Sequence, residues 1–374
     1  MNKKERTKIM QFSKNDTAAM KGVAICMMML HHCFLGADRY AGYDVDFLLL
    51  GEYLTVLLAQ FCKICVAIFV FISGYGISFS LKRMDRTIPG IEAKQIQKRW
   101  FSLMSGFWFV YFLSFVTALI LNPSIITKSY FTGKNPLDKV FYILADFFGV
   151  AKLFGTPQMI GTWWYMSLAI IIICIMPITY KIYKKYGSLV VFVIIFCING
   201  FFQAKNYDMY RWLFIMALGM ICAEKNYLGK WKEFKFIKNH ALLDFAVKFI
   251  IYTPILIFCI YLRQNLDFVV AYIQDGIIPL FVIFYCYAIV FEIPFIYKIL
   301  CYIGKHSTNI FLSHTFLRAF YLKDFIHLFR YPFLIVAALL LSSLLLSIII
   351  ELMKKYTGYN KLVKKGMQYI EAKA

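Results

Sequence analysis

Apolar residues run through this 374-residue chain in long stretches, and polar residues collect in the gaps between them. A run of about 20 apolar residues can cross a bilayer as a helix. The pattern predicts about ten spans: 18–36, 61–80, 101–121, 160–179, 188–203, 209–223, 245–262, 268–291, 307–327 and 331–353. The ninth is the most polar, holding His314, Arg318, Lys323, Asp324 and His327. The stretch 137–155 is amphipathic and predicts an extra interfacial or re-entrant helix. No repeat or low-complexity linker interrupts the apolar density. The expected fold is therefore all-α, a polytopic transmembrane helical bundle. It reads as a single domain over 1–374, with a short arm at 1–15 and a basic tail at 354–374.

The gaps test this map. Basic residues crowd the N-terminal arm (Lys3, Lys4, Arg6, Lys8, Lys14) and the loop with Lys82, Arg83, Arg86, Lys94, Lys98 and Arg99. They recur in 180–187 (Lys181, Lys184, Lys185) and in 224–244 (Lys225, Lys230, Lys232, Lys235, Lys238). The tail carries Lys354, Lys355, Lys361, Lys364, Lys365 and Lys373. Loop 37–60 instead holds Asp38, Asp44, Asp46 and Glu52 against Arg39. Cationic loops stay on the cytoplasmic side, so the alternation predicts that both termini are cytoplasmic. Lys128, Lys134, Lys139 and Lys152 in 122–159 blur the pattern, but long outer loops weigh less in that rule. The polar opening and the missing small-residue cleavage site mark the first apolar run as a retained span.

Composition agrees. The chain is 61% hydrophobic and 16% charged, with a mean hydropathy of +0.66. A soluble fold of this length could not hide that much apolar surface. The net charge of +21 sits in short clusters between apolar runs. This distribution suits anionic lipid heads at cytoplasmic loops and argues against nucleic acid. The ten cysteines are scattered, mostly inside apolar runs, where they act as small hydrophobes. Cys62-Lys63-Ile64-Cys65 has redox or metal-type spacing, but no second pair complements it. No metal-binding motif occurs, so no catalytic metal is expected.

Polar groups inside hydrocarbon cost several kcal/mol and mark candidate sites. Lys21 and His32 in the first span are eleven residues apart. At 100° per residue they fall within about 20° of one another, separated by about 16 Å of helix rise. Imidazole titrates near neutral pH and can act as a general base. Lys21 also fits a snorkelling interfacial anchor, and the His31–His32 pair also fits a helix end bonded to carbonyls. The two rings point about 100° apart, so at most one faces a given site. Ser73, with Gly74 and Gly76, suits close helix packing as well as chemistry. Lys98-Arg99-Trp100 suits a phosphate or a lipid head. Trp163-Trp164-Tyr165 reads as an aromatic belt or as a stacking surface for a sugar. Asp275 and Lys248 lie in or near spans and could pair, which position alone does not decide. Asn309, Ser313 and His314 place polar groups at helical spacing in the ninth run.

These residues resemble the membrane-bound acyltransferase family 3. The resemblance rests first on Lys21-Gly22-Val23-Ala24-Ile25 through His32. Phe69-Val70-Phe71-Ile72-Ser73-Gly74-Tyr75 and the basic stretch ending Lys98-Arg99 add to it. Thr162-Trp163-Trp164-Tyr165 and Leu312-Ser313-His314-Thr315 follow in order, so the resemblance covers nearly the whole chain. It implies a multi-pass plasma-membrane enzyme. Such an enzyme moves an acyl group, usually acetyl, from cytoplasmic acyl-CoA to a hydroxyl of a carbohydrate or lipid-linked glycan of the cell envelope. Acetyl-CoA is then a donor substrate rather than a tightly bound cofactor.

On this reading His32 is the catalytic base. Lys21 and Arg99 hold the CoA phosphates. Ser73 and Tyr75 line the acyl path or donate to the oxyanion. Trp163, Trp164 and His314 complete the substrate-binding set. Two departures stand out. Lys21 replaces the commoner Arg, which keeps charge but loses bidentate phosphate geometry. The appended extracytoplasmic hydrolase-like domain of some members is also missing. The rival reading is a transporter or flippase for a polysaccharide or lipid-linked substrate, which would call for an inverted repeat. A structural scaffold would leave His32 unexplained.

Overall fold

The computed structural model describes residues 11–84, 90–133, 135–202, 207–265 and 273–372. Lys3, Lys4, Arg6, Lys8, Arg86, Lys134 and Lys373 lie outside the described residues, as do position 203 and positions 268–272 of the expected spans. All regular structure among the described residues is helical. The chain opens with α1 (Lys14–Phe34), α2 (Gly51–Phe61), α3 (Cys65–Lys82) and α4 (Ile91–Leu121). The short α5 (Ser124–Tyr130), α6 (Pro136–Phe147) and α7 (Ala151–Phe154) follow, then α8 (Trp164–Phe202) and α9 (Tyr207–Tyr210). Next come α10 (Leu213–Lys225), α11 (Tyr227–Glu233), α12 (Ala241–Asn265), α13 (Ile278–Ala288) and α14 (Pro294–Lys305). The last four are α15 (Ser307–Phe316), α16 (Lys323–His327), α17 (Pro332–Tyr356) and α18 (Tyr359–Ala372).

Among the described residues, 7 helical segments are long and apolar enough to cross a membrane. They are Lys14–Phe34, Leu48–Lys82, Ile91–Leu121, Gly161–Phe201, Ala241–Asn265, Gln274–Glu292 and Pro332–Tyr356. Gly161–Phe201 takes in two expected spans. Gly187, at φ +85°, breaks α8 between them, and a left-handed backbone there favours a residue without Cβ. The expected span 209–223 contains most of the 13-residue α10, which is mostly buried. The polar region 307–327 is split into α15, a π-helical turn at Leu317–Tyr321 and α16. The stretch 137–155 forms α6 and α7. Leu137, Val140, Phe141 and Leu144 leave an apolar face of α6 exposed, the arrangement of an interfacial helix.

Packing divides the chain into two compact units. The first contains Met1–Gly36, Leu50–Lys82 and Thr179–Lys305. Here α1 starts at a capping box: Ser13 Oγ accepts from the Asp16 amide (3.1 Å) and Asp16 Oδ2 accepts from the Ser13 amide (2.8 Å). Tyr297 of α14 donates to the other Asp16 oxygen at 2.8 Å. Small residues bring α1 and α14 together. A Cβ on Gly22 would overlap the Leu300 backbone, and one on Gly304 would overlap that of Ala18. Helices in lipid gain little from hydrophobicity alone, so such close backbone approach is a main source of their association. Gly74 meets Met216 and Gly219 meets Phe71 where α3 crosses α10, while Gly76 has open space around it.

The second unit contains Ala37–Leu49, Arg83–Ile178 and His306–Ala374. Its core is aromatic: Phe107, Tyr111, Tyr130, Trp163 and Phe316 are buried together with Met104, Ile160, Leu312 and Ile350. The tail helix α18 packs back on α4. Tyr359 donates to the Ser105 carbonyl (2.7 Å) and Lys98 pairs with Glu371 (2.7 Å). The neighbouring Lys98 holds the Glu371 carboxyl below the usual carboxylate range.

Candidate active site

The expected site residues fall into two groups, one in each unit. Lys21, His32, Ser73 and Tyr75 belong to the first, and Arg99, Trp163, Trp164 and His314 to the second.

In the first unit, α1 carries Lys21 and His32, and both are half-buried. Among the described residues Lys21 has no carboxylate partner. His31 and His32 are separated by their environments. His31 is buried and lies 2.9 Å from the Ala59 carbonyl of α2 through Nδ1. A carbonyl only accepts, so this nitrogen carries the proton. His32 presents its ring edge-on to His31, with centroids 5.0 Å apart. His31 thus serves the α1–α2 contact, while His32 keeps partial access. Ser73 donates its hydroxyl to the Phe69 carbonyl one turn back, at 2.9 Å. Tyr75 is buried, edge-on to Phe12 at 5.4 Å. Cys62 and Cys65 are buried free thiols.

A charged cluster absent from the sequence reading lies in the same unit. Asp275 is buried and bound by two guanidinium groups, those of Arg211 and Arg263. The Arg263 pair measures 2.9 Å, and Arg263 also donates to the Gln274 carbonyl. The next residue, Gln264, donates to the Leu57 carbonyl at 3.2 Å. The cluster is thereby tied to α2, the helix that also anchors His31. The pairing of Asp275 with Lys248 that position left open is not the one formed: Lys248 binds Asp244 one turn away on α12, at 2.9 Å. The signal for the cluster was Arg263, a cation at the end of an apolar run.

In the second unit, His314 is fully buried. Its Nδ1 lies 2.8 Å from the Phe311 carbonyl and 3.2 Å from that of Ile310, which assigns the proton to Nδ1. Nε2 therefore accepts, and Thr315 Oγ1 lies 3.2 Å from it. Thr315 Oγ1 is in turn 3.1 Å from Thr162 Oγ1. Trp163 donates its indole N–H to the Leu312 carbonyl at 3.0 Å and is fully buried against Phe107 and Tyr111. Its ring packs on protein, facing neither lipid as an aromatic belt would nor an open surface on which a sugar could stack. Trp164 and Arg99 are half-buried.

Two polar networks of this unit were not assembled by the sequence reading. Asp146 Oδ2 accepts from the Tyr130 hydroxyl (2.6 Å) and the Met159 amide (2.8 Å), and Tyr111 and Tyr130 hydroxyls lie 3.0 Å apart. Burial pushes the Asp146 carboxyl up to about 6, and burial beside Asp146 raises the Tyr130 phenol. The Met159 contact fixes the segment that leads into Thr162 and Trp163. On the other side, Asn309 bridges α15 to α17: it donates to Ser347 (3.2 Å) and Glu351 (2.8 Å) and accepts from Lys354 (3.0 Å). Asn309 was visible as a polar residue in an apolar run, whereas its partners Glu351 and Lys354 looked like an ordinary span end.

A family model described as an acyltransferase domain matches residues 18–352. The chain belongs to the membrane acyltransferase family 3. No match was found among curated proteins or among solved structures. As a member of this family the protein is an acyltransferase with membrane-spanning helices. The matched range begins four residues into α1 and ends within α17, so it takes in every expected site residue.

Proposed function

We propose that the protein is a plasma-membrane O-acetyltransferase that moves acetyl from cytoplasmic acetyl-CoA to a hydroxyl of a cell-envelope polysaccharide or lipid-linked glycan. The observation that carries the reading is the placement of Lys21 and His32 on one face of α1. They are about 16 Å apart along the helix axis, both half-buried. A CoA ester is long: its phosphates can rest beside a cation at the inner face while the thioester reaches inward. His32 takes the proton of the acceptor hydroxyl as the oxygen attacks the thioester carbonyl. The C–S bond then breaks, and the departing thiolate takes a proton to leave as free CoA. Lys21 contributes charge rather than bidentate geometry, so it positions the donor without fixing one phosphate orientation.

The test is purified protein in lipid with labelled acetyl-CoA and an envelope glycan fraction. Wild type is expected to transfer label to glycan. His32→Ala is expected to lose roughly 100-fold or more of the rate while inserting and accumulating normally. Undiminished label transfer by His32→Ala would overturn the assignment.

A further inference from the structure

We propose that a groove between α11 and α13 of the first unit holds one acyl chain of an anionic glycerophospholipid, its phosphate beside Lys230. The groove has a volume of about 550 Å³ and is lined by Tyr227, Lys230 and Trp231 on one side and by Ile277, Leu280, Phe281 and Phe284 on the other. Each set falls at i, i+3, i+4 helical spacing, so two helical stripes face each other. Such a volume lies within the range of small-ligand sites.

Three observations select the occupant. First, the α13 wall belongs to Gln274–Glu292, a segment long and apolar enough to cross a membrane. An apolar trough on such a helix meets lipid chains rather than water. Second, Lys230 is the one cation of the lining, and it is exposed with its ammonium over the Tyr227 ring at 5.6 Å. Its neighbour Lys232 is already engaged by the Tyr287 carbonyl and Glu292. Lys230 has no carboxylate partner among the described residues, and Lys225, Lys235 and Lys238 add positive charge nearby in sequence. An anionic headgroup complements that charge. Third, the lining contains no Gly, Ala, Ser or Thr. Transmembrane helices associate through small residues that let backbones approach, so a trough walled by large side chains fits a thin flexible chain better than a partner helix. Trp231 is held in place as a wall by stacking on Tyr252 (5.0 Å) and by an edge contact with Phe284 (5.2 Å).

Bromine on a lipid chain quenches tryptophan fluorescence on contact, which gives the test. The full-length protein is reconstituted in phosphatidylcholine vesicles carrying a minor fraction of chain-brominated phosphatidylglycerol, or the same fraction of chain-brominated phosphatidylcholine. Subtracting the signal of Trp231→Phe isolates Trp231. The expected result is stronger quenching by the anionic lipid, reduced roughly fivefold in apparent affinity by Lys230→Glu. Equal quenching by the two lipids would mean unselective boundary lipid. No Trp231 quenching by either would mean that a protein segment or second copy covers the groove. Either outcome overturns the proposal. Native mass spectrometry of wild type and Lys230→Glu provides a second readout that does not depend on Trp231→Phe accumulating. Retained phosphatidylglycerol is expected to fall in the variant, and unchanged retention counts against the site.

Discussion

Thr162 Oγ1 lies 3.1 Å from Thr315 Oγ1, which joins the segment ahead of α8 to the helix that carries His314. The contact links two of the motifs on which the family resemblance rests. Thr315 also reaches His314 Nε2, so the imidazole, the two hydroxyls and the Trp163–Leu312 bond form one buried polar patch.

That patch is expected to matter for turnover. Thr315→Val removes the hydroxyl beside His314 and should lower acyl transfer up to roughly tenfold, the scale of one buried hydrogen bond. Thr315→Ser should retain most of the activity. Rates of labelled-acetyl transfer at matched protein level decide the matter, and a Val variant as active as wild type would reduce the patch to packing.

Asp275 is expected to be the most sensitive charged position of the first unit. It joins Arg211 and Arg263 in a buried cluster. Removing one partner of a buried ion pair costs about 3–5 kcal/mol because the remaining charge stays desolvated. Asp275→Asn should therefore unfold at clearly lower temperature in detergent. Lys248→Met leaves only the Asp244 pair broken, and Asp244 keeps bonds from the Phe236 and Ile237 amides. Its melting temperature should fall less, and the reverse ranking would show that the Asp275 cluster is not structural.

The α1–α14 crossing supplies a steric prediction. A side chain at Gly304 would overlap Ala18, so Gly304→Val should force the helices apart and loosen the Tyr297–Asp16 bond. A cost of about 1–3 kcal/mol is expected. Gly76→Ala, at a position with open space, should be near neutral. Thermal stability of the two purified variants provides the comparison.

Asp146 predicts a pH dependence. Burial raises its carboxyl from an ordinary value near 3.8 to about 6, so the folded state binds the proton more tightly than the unfolded state. The resulting stabilisation is fully present below about 4 and is lost as pH rises through about 6. Wild type should thus gain stability relative to Asp146→Asn as pH falls from 7 to 4.5, on the order of 2 kcal/mol. Melting curves of the two proteins that stay parallel over this window would show that Asp146 does not titrate there.

The sequence by itself determined that this chain is helical, that lipid is its solvent, and that it belongs to the acyltransferase family. These properties are local. A helix in hydrocarbon satisfies its backbone internally, so a run of apolar residues specifies a span without reference to its neighbours, and Lys21 and His32 share a face through helix geometry alone. Even there the limit shows at α10 and at 307–327, where apolar runs form a short buried helix and a broken one.

Tertiary structure decided which polar groups meet. Positions 211, 263 and 275 come together only when the turn ahead of α10, the helix α12 and the π-helical turn at Ile273–Ile277 pack, so no spacing rule could choose Arg263 over Lys248 for Asp275. The same is true of Trp163, placed in the core by its bond to Leu312, and of His31, claimed by the Ala59 carbonyl while His32 keeps partial access. The amphipathic α14 is too short to register as a span, yet Gly304 and Gly22 make it a close partner of the helix that carries Lys21 and His32. Pairings of this kind depend on backbone approach and desolvation in three dimensions, and those are set by packing rather than by any periodicity along the chain.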